Sequence, residues 1–268
     1  MSASVTVAPP PPRPERYVIP NLRNACRILK FLGRSEDGWK VADISRALGI
    51  PVTTTLRIMA TLQLEGLVRK VEGRFELGPV LIQLGHAALA GTELRTAALP
   101  VLEKLTRAVG ETSHLAIPCD NRSLIVAVQD SPHPLRAASR PGFLAELHCS
   151  STGKAILAFS PAARIDEVLG RGPLARRTAN TLTSPAEIRR ELALTARRGY
   201  SLDNEEFHPG VRCLAAPVRD SAGAVVGALG ITAATVRFPK DRIPAVAAAV
   251  KTAALELSRH LGHGEAGS

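Results

Sequence analysis

The segment from 148 to 155, HCSSTGKA, places chemically capable side chains directly before an apolar run, ILAF. Ser151 and Lys154 have the Ser-x-x-Lys spacing of serine acyl-transfer enzymes, in which the serine is the nucleophile. Gly153 and Lys154 also match the end of a phosphate-binding loop. The first chemistry would acylate the serine, and the second would bind the phosphates of a nucleotide.

The chain lacks the companion residues that either chemistry requires. An acyl-transfer site of this type also needs S-D-N and K-T-G motifs, and the closest later run is Lys251-Thr-Ala253, inside a predicted helix. A phosphate loop needs Gly five residues before Gly153 and Ser or Thr after Lys154, but those positions are His148 and Ala155. Both interpretations are therefore disfavoured.

Small polar residues before an apolar run are typical of the start of a helix, where unpaired backbone N–H groups favour an anion. Ser151 and Thr152 therefore either cap the helix only, or also hold the acidic group of a ligand. Lys154 either faces that anion or covers the helix with its aliphatic stem.

Cys213 and the acidic run 203–206 are further candidates. Cys213 lies in an apolar strand, which is also typical of an inert buried thiol, and the acidic run is equally compatible with a solvated loop. His148, Cys149, His208 and Cys213 are soft ligands, but nothing in their spacing demands a metal. The four cysteines form no C-x-x-C pair, which argues against a zinc module or a disulfide framework. We predict no metal and no cofactor.

The elements ahead of these residues are predicted to be three helices and a hairpin. Helical spacing of apolar residues predicts helices over 21–32, 41–48 and 51–65, and two alternating runs predict a hairpin over 67–77. Gly49 suits a sharp turn between the second and third helices. This order is typical of a winged helix-turn-helix that binds duplex DNA; the alternative is a protein-interaction module.

The third helix is predicted to face DNA with one side and the domain core with the other. The residues expected to face the core are Leu56, Met59, Ala60 and Leu64. The residues predicted to contact DNA are Thr53, Thr54, Thr55 and Arg57 on the helix and Arg69, Lys70 and Arg74 on the hairpin. A net charge of +10 favours a polyanionic partner, and 3% aromatic residues are too few for stacking on single strands.

The chain is predicted to contain two domains joined by an apolar helix. Residues 1–18 form a Pro-rich tail without the features of a signal peptide, and 19–78 form the DNA-binding domain. The segment 79–91 is apolar at nearly every position, so we expect a helix that packs against a second subunit. Residues 92–263 form the second domain. No apolar stretch approaches the length that spans a membrane, so we expect a soluble, cytoplasmic protein.

The second domain is predicted to be α+β, an antiparallel sheet with helices. The strands are predicted over 112–118, 124–130, 210–219 and 225–232. The helices are predicted over 92–109, 151–159, 184–198 and 240–260.

Several blocks in this order resemble the IclR family of transcriptional regulators. They are ADISRALGIP-x-T-T-x-x-R, EGLVRK and FELG in the first domain, and LHCSSTGKAILA, RRGYSLDNEEFHPGVRCLAAPVRD and GALGIT in the second. The resemblance implies a winged helix-turn-helix with a GAF-like effector domain, a homodimer or homotetramer, and a small organic-acid or aromatic effector. Val52 and Leu56 stand where polar or basic residues are usual, so fewer base contacts are expected.

The resemblance also implies which residues bind the effector. They are Ser151, Thr152, Asp203, Cys213, Gly230 and Thr232. Gly230 stands where relatives can carry Ser, which would remove one hydrogen-bond donor. The resulting hypothesis is a DNA-binding regulator, a repressor by default, whose operator binding responds to the effector. The alternative is a sensory hydrolase with Ser151 or Cys213 as its nucleophile.

Overall fold

The computed structural model describes residues 17–35, 37–90, 93–170 and 172–264. The chain divides between Ala88 and Leu89 into two units, and each has a hydrophobic core of its own. Most of the tail predicted for 1–18 lies outside the described residues, as do Gly91 and Thr92.

The first unit consists of three helices and a two-stranded hairpin. They are α1 Pro20–Leu32, α2 Val41–Leu48, α3 Val52–Leu64, β1 Val68–Val71 and β2 Arg74–Leu77. A sharp turn joins α2 to α3, because Gly49 has a φ of 64°, in the left-handed region that glycine tolerates. The Ser45 hydroxyl donates to the Ile50 carbonyl at 2.6 Å and holds the turn closed. The turn therefore fixes how α3 leaves α2.

The hairpin turns through Glu72 and Gly73, which both have positive φ, as a two-residue turn with right-handed strand twist requires. Val68 and Phe75 bury their side chains in the helical core. Phe75 also pairs through its backbone with Trp39, which precedes α2. The hairpin is thus tied to the helices on both strands.

The inward face of α3 differs from the predicted one. Thr55, Ile58, Met59 and Leu62 are buried, whereas Leu56 is 49% exposed and Leu64 is 84% exposed. The Thr55 hydroxyl donates to the Pro51 carbonyl at 3.1 Å, so this polar side chain is satisfied inside the core. The prediction of Thr55 as a DNA-contacting residue was therefore wrong, and so was the assignment of Leu56, Ala60 and Leu64 to the core.

The second unit contains one antiparallel six-stranded sheet. Its strands are β3 Thr112–Cys119, β4 Arg122–Gln129, β5 Leu144–Glu146, β6 Ser201–Asn204, β7 Val211–Arg219 and β8 Val225–Ala234. They are ordered β5-β4-β3-β8-β7-β6 across the sheet. Side chains alternate between its two faces, so Leu229 and Ile231 of β8 enter the larger core, while Ala228 and Thr232 point to the opposite face.

Helices cover both faces of this sheet. They are α5 Glu93–Val109, α6 Ser151–Ala158, α7 Ala162–Gly170, α8 Pro185–Arg198 and α9 Ile243–His260, which follows the 3-10 turn Lys240–Arg242. The larger core lies under α5 and α9, and α6 packs on the other face. Leu157 of α6 then packs against Leu169 of α7 and Ile188 of α8. The remaining helix, α4 Val80–Ala90, crosses the division between the units.

The predicted fold class is confirmed: α+β, with a helix-turn-helix and hairpin followed by an antiparallel sheet with helices. Three elements were not predicted, namely β5, β6 and α7. None of the helices in the described residues combines the length and apolar character needed to cross a membrane.

Candidate functional site

The second unit contains a cavity of about 420 Å³ on the face of the sheet that carries α6. Its walls are the start of α6, residues from all six strands of the sheet, the turn after β6 and the segment 137–143. Five of the six predicted effector-binding residues line it: Ser151, Thr152, Asp203, Cys213 and Thr232. Residues from four separate elements therefore converge on one cavity.

Gly230 is the predicted residue that does not line the cavity. It is buried between β7 and β3, opposite Ala215 and His114. A Cβ at this position would lie 2.5 Å from the Leu214 carbonyl oxygen and 2.8 Å from the Ala215 Cβ. Glycine is thus needed here for the close packing of the strands.

The start of α6 is capped by Ser150 rather than by Ser151 or Thr152. The Ser150 hydroxyl accepts a hydrogen bond from the Gly153 N–H at 3.1 Å. Ser151 and Thr152 occupy the first helical turn, where backbone N–H groups have no intrahelical acceptor. Because both residues line the cavity, the first turn of α6, where the helix dipole has its positive end, borders the cavity.

Gly153 and Lys154 have structural roles that exclude both motif chemistries. A Cβ at Gly153 would lie 2.5 Å from the Leu147 Cα, so packing against the preceding turn requires glycine. The Lys154 side chain is completely buried, and its ammonium donates to the Leu202 carbonyl and the Glu206 carboxylate, each at 2.5 Å. Lys154 therefore neither faces the cavity nor is available to activate Ser151.

Asp203 lies on β6, one residue before the strand ends at Asn204, and lines the cavity. Its Oδ1 accepts the N–H groups of Glu206 and Phe207 at 2.7 and 3.2 Å. Burial raises the pKa of Asp203 to about 7; the charge of Glu206 adds to the rise, and Lys154 and the two N–H donors oppose it. Close to neutral pH this carboxyl group is therefore divided between its charged and protonated forms.

Lys154, Glu206 and Asp203 form a buried charged cluster. Burial raises the pKa of Glu206, although the Lys154 ammonium lowers it. Glu206 Oε2 is buried and has no hydrogen-bond partner within the described residues. Glu191 lies 3.7 Å from the Lys154 ammonium and completes the cluster. Because Lys154 compensates these acids, it holds the Asp203 turn against α6.

Hydroxyl groups link the cavity walls. Thr152 and Ser123 share a hydrogen bond of 3.1 Å. The hydroxyl of Thr232 accepts hydrogen bonds of 3.4 Å from the Cys213 thiol and from Ser139, which lies on the segment 137–143. These bonds join α6 to β4, and β8 to the segment 137–143.

The cavity thiol is not a nucleophile. Burial raises the pKa of Cys213 well above its ordinary value, and the Asp203 charge raises it further. A thiol with a raised pKa remains protonated and unreactive. Within the described residues, no group of three or more His, Cys, Asp or Glu side chains is arranged to hold a metal ion.

Several cavity residues were not predicted from the sequence, and His114 is the most informative of them. Its side chain is 3% exposed, and burial lowers its pKa to about 4. Phe143 and Phe207 also line the cavity, with ring centroids 5.9 Å apart. One sequence pattern could have indicated His114: it lies two residues after Thr112 on a predicted strand, so the two side chains lie on the same face of the sheet.

In the first unit, α3 presents a mixed surface. Thr53 is exposed, Thr54 is half-buried, and Arg57 is exposed along a groove between α1 and α3. The Arg57 guanidinium has no hydrogen-bond or ion-pair partner within the described part of the chain, so it is available to a phosphate or a base. Val52 and Leu56 are about half exposed and can offer only apolar contacts.

The hairpin carries three exposed cations. Arg69 pairs with Glu76 at 2.9 Å, and the Lys70 ammonium lies 5.6 Å from the centre of the Phe75 ring. Arg74 donates to the Gly38 carbonyl at 3.3 Å. These contacts orient the side chains at the surface and leave their charges within reach of solvent.

Comparisons with known proteins match both units. A family described as "Bacterial transcriptional regulator IclR C-terminal" matches residues 86–259, and "IclR helix-turn-helix domain" matches residues 22–72. The Glycerol operon regulatory protein of Streptomyces griseus is 37% identical over 250 residues, 92% of this chain and 98% of that protein. The Transcriptional repressor IclR of Escherichia coli K12 is 30% identical over 248 residues, 91% of this chain and 90% of that protein. The crystal structure of an IclR homolog complexed with 4-hydroxybenzoate, from Microbacterium hydrocarbonoxydans, has a TM-score of 0.75 at 26% identity, covering 90% of this chain and 98% of that one.

Proposed function

The chain belongs to the IclR family of bacterial transcriptional regulators, and from this premise we propose that it is a repressor controlled by a small organic-acid or aromatic effector. Family membership makes it a DNA-binding regulator with a C-terminal effector domain and not an enzyme, so the sensory hydrolase considered from the sequence is excluded. The Escherichia coli relative is a transcriptional repressor by name, which supports repression as the direction of control.

The observation that carries the effector proposal is the convergence of the first turn of α6 with Asp203 in one cavity. The amides of Ser151 and Thr152 would bind the carboxylate of the effector, as helix N-termini bind anions. Asp203 has a pKa of about 7. Below that pH its protonated carboxyl group would donate a hydrogen bond to the effector, and above it the charged carboxylate would repel an acidic effector.

The size and the walls of the cavity support an aromatic or short aliphatic ligand. Its volume of about 420 Å³ lies in the range of small-molecule sites. Ile125, Phe143 and Phe207 supply apolar surface around the polar groups. The homolog bound to 4-hydroxybenzoate provides a precedent for an aromatic acid.

For DNA we propose that Thr53, Thr54 and Arg57 contact the major groove. Arg69, Lys70 and Arg74 would contact neighbouring phosphates. Thr53, Arg57 and the three hairpin cations are exposed and Thr54 is half-buried, which supports these roles.

We further propose that the protein acts in the cytoplasm as a homodimer or homotetramer. In this arrangement 19–78 is the DNA-binding domain, 79–91 the linker helix and 92–263 the effector domain. Ile82 is 67% exposed and Leu84 54% exposed on α4, which supports packing of this helix against a second copy. Each DNA-binding domain would read one half of a near-palindromic operator, and effector and DNA would favour different arrangements of the subunits.

Calorimetry with a panel of small carboxylic and aromatic acids tests the site. We expect a ligand whose affinity falls at least tenfold in Thr152→Val and Asp203→Ala, because each removes a polar group from the cavity wall. Arg189→Gln, on the exposed surface of α8, is the control and should bind normally. Unchanged affinity in both cavity variants would refute the proposed site.

A further inference from the structure

His114 occupies the middle of β3, on the face of the sheet that lines the cavity. Its neighbours in register are Gly230 of β8 and Val128 of β4, and neither has a polar side chain. Along β3, the nearest polar residue on the same face is Thr112, whose hydroxyl accepts a hydrogen bond from the Ser131 N–H at 3.2 Å. The strands around His114 therefore offer its ring no side-chain partner.

His114 Nδ1 is fully buried and has no hydrogen-bond partner within the described residues. Two hydroxyl groups of the cavity wall already have partners: Thr152 bonds to Ser123, and Thr232 bonds to Cys213 and Ser139. Buried polar groups in folded proteins are nearly always hydrogen-bonded, and an exception calls for an explanation. The histidine ring is a polar group whose bonding capacity the protein itself leaves unused.

The chemistry of the ring indicates what it would bind. Burial lowers the pKa of His114 to about 4, so the imidazole is neutral and has one donor and one acceptor nitrogen. No bond to Nδ1 fixes which nitrogen carries the proton. A hydroxyl group both donates and accepts, so it satisfies either tautomer. A carboxylate only accepts, and the two free amides of α6 serve it better.

We propose that His114 determines effector specificity by hydrogen bonding to a hydroxyl group of the ligand, so that the effector is a hydroxylated organic acid. The inference rests on the proposed function, because the carboxylate of the same molecule occupies the first turn of α6.

Calorimetry on the full-length protein with matched acid pairs tests the assignment. The pairs are 4-hydroxybenzoate with benzoate and lactate with propionate. In the wild type we expect the hydroxylated member of at least one pair to bind about tenfold more tightly, because a buried polar group rejects a ligand that leaves it unpaired. In His114→Phe the preference should disappear while the affinity for the unhydroxylated acid changes less than about threefold. His114→Gln, which keeps a donor and an acceptor, should restore part of the preference.

The outcomes separate this inference from the proposed function. Acids that bind without a preference for the hydroxyl group, or a preference that persists in His114→Phe, would overturn the role of His114 and leave the effector site in place. Absence of binding by every acid at millimolar concentration would overturn both. If His114→Phe does not fold, NMR of the wild type tests the role of His114 instead. The side-chain ¹⁵N chemical shifts of His114 should change on binding of the hydroxylated acid and not on binding of the matched acid without the hydroxyl group.

Discussion

Replacing Lys154 by methionine should destabilise the second unit severely. The ammonium is fully buried and contacts Glu206 and the Leu202 carbonyl at 2.5 Å. Methionine fills a similar volume, so the loss is mainly electrostatic: the Glu206 carboxylate remains buried beside Asp203 without its cation. Breaking a buried ion pair by removing one partner costs about 3–5 kcal/mol, and we expect a change in the free energy of unfolding of that size at pH 7.

Urea unfolding followed by circular dichroism measures this change, and Arg189→Gln is the matched control. Arg189 pairs with Asp166 at 2.5 Å, but both side chains are about half exposed, so the control should lose no more than about 1 kcal/mol. The double variant Lys154→Met with Glu206→Gln should be more stable than Lys154→Met alone, because it removes the uncompensated charge. The penalty of Lys154→Met should also shrink as the pH falls and Glu206 becomes protonated.

Two results would refute this reasoning. One is a Lys154→Met protein within about 1 kcal/mol of the wild type at pH 7. The other is a double variant that is no more stable than the single one. Either result would mean that the Lys154–Glu206 ion pair does not hold the Asp203 turn in place.

The remaining predictions concern protonation, DNA contact and packing. The affinity of the protein for an acid effector should fall as the pH rises through about 7, because Asp203 then becomes charged. Calorimetry at several pH values measures this dependence, and Asp203→Asn should make the affinity nearly independent of pH. An unchanged pH dependence in that variant would exclude Asp203 as its source. The raised pKa of Asp203 also affects stability, because between about pH 4 and pH 7 the folded state keeps a proton that the unfolded chain has released. The contribution of Asp203 to the free energy of unfolding is therefore complete below about pH 4 and is lost as the pH rises through 7. Arg57→Ala should weaken DNA binding by about 1–3 kcal/mol and reduce its salt dependence. Thr55→Val should leave the DNA affinity of the folded protein unchanged, because Thr55 is buried. Gel shifts compare the two variants, and equal effects would contradict the DNA-contacting surface assigned to α3. Gly153→Ala should lower the free energy of unfolding by about 1–3 kcal/mol, because the added Cβ would lie 2.5 Å from the Leu147 Cα and 2.7 Å from the Glu146 carbonyl oxygen. Gly170→Ala is the control and should be neutral, because its added Cβ meets nothing within 4 Å. Thermal unfolding compares the two variants.

The helices of the first unit were predictable because local signals mark their ends. Gly49 takes the left-handed conformation that its position after α2 suggested, and Glu72-Gly73 forms the expected tight turn. The inward face of α3 was not predictable by hydrophobicity, since Thr55 is buried and Leu64 exposed. A hydroxyl bonded to its own helix backbone makes threonine acceptable in a core, and no periodic pattern reports that bond.

In the second unit, long alternating strands were evident and short ones were not. Asp203 lies on β6, whose four residues SLDN show no apolar alternation and join the sheet only by pairing with β7. Likewise, the burial of Lys154 depends on Glu206, a residue 52 positions away. Such partners come together only through the tertiary fold, so the sequence left open whether Lys154 faces an anion or covers the helix, and the structure shows that it is buried against Glu206 instead.

The coupling between the two units is the central claim, and operator affinity with and without effector measures it most directly. Fluorescence anisotropy would follow the full-length protein binding its upstream intergenic DNA, with and without a saturating acid identified by calorimetry. We expect the acid to shift the dissociation constant for DNA by about 5–150-fold in the wild type and not in Thr152→Val, which should still bind the DNA. An acid that binds the cavity and leaves the DNA affinity unchanged would contradict the account.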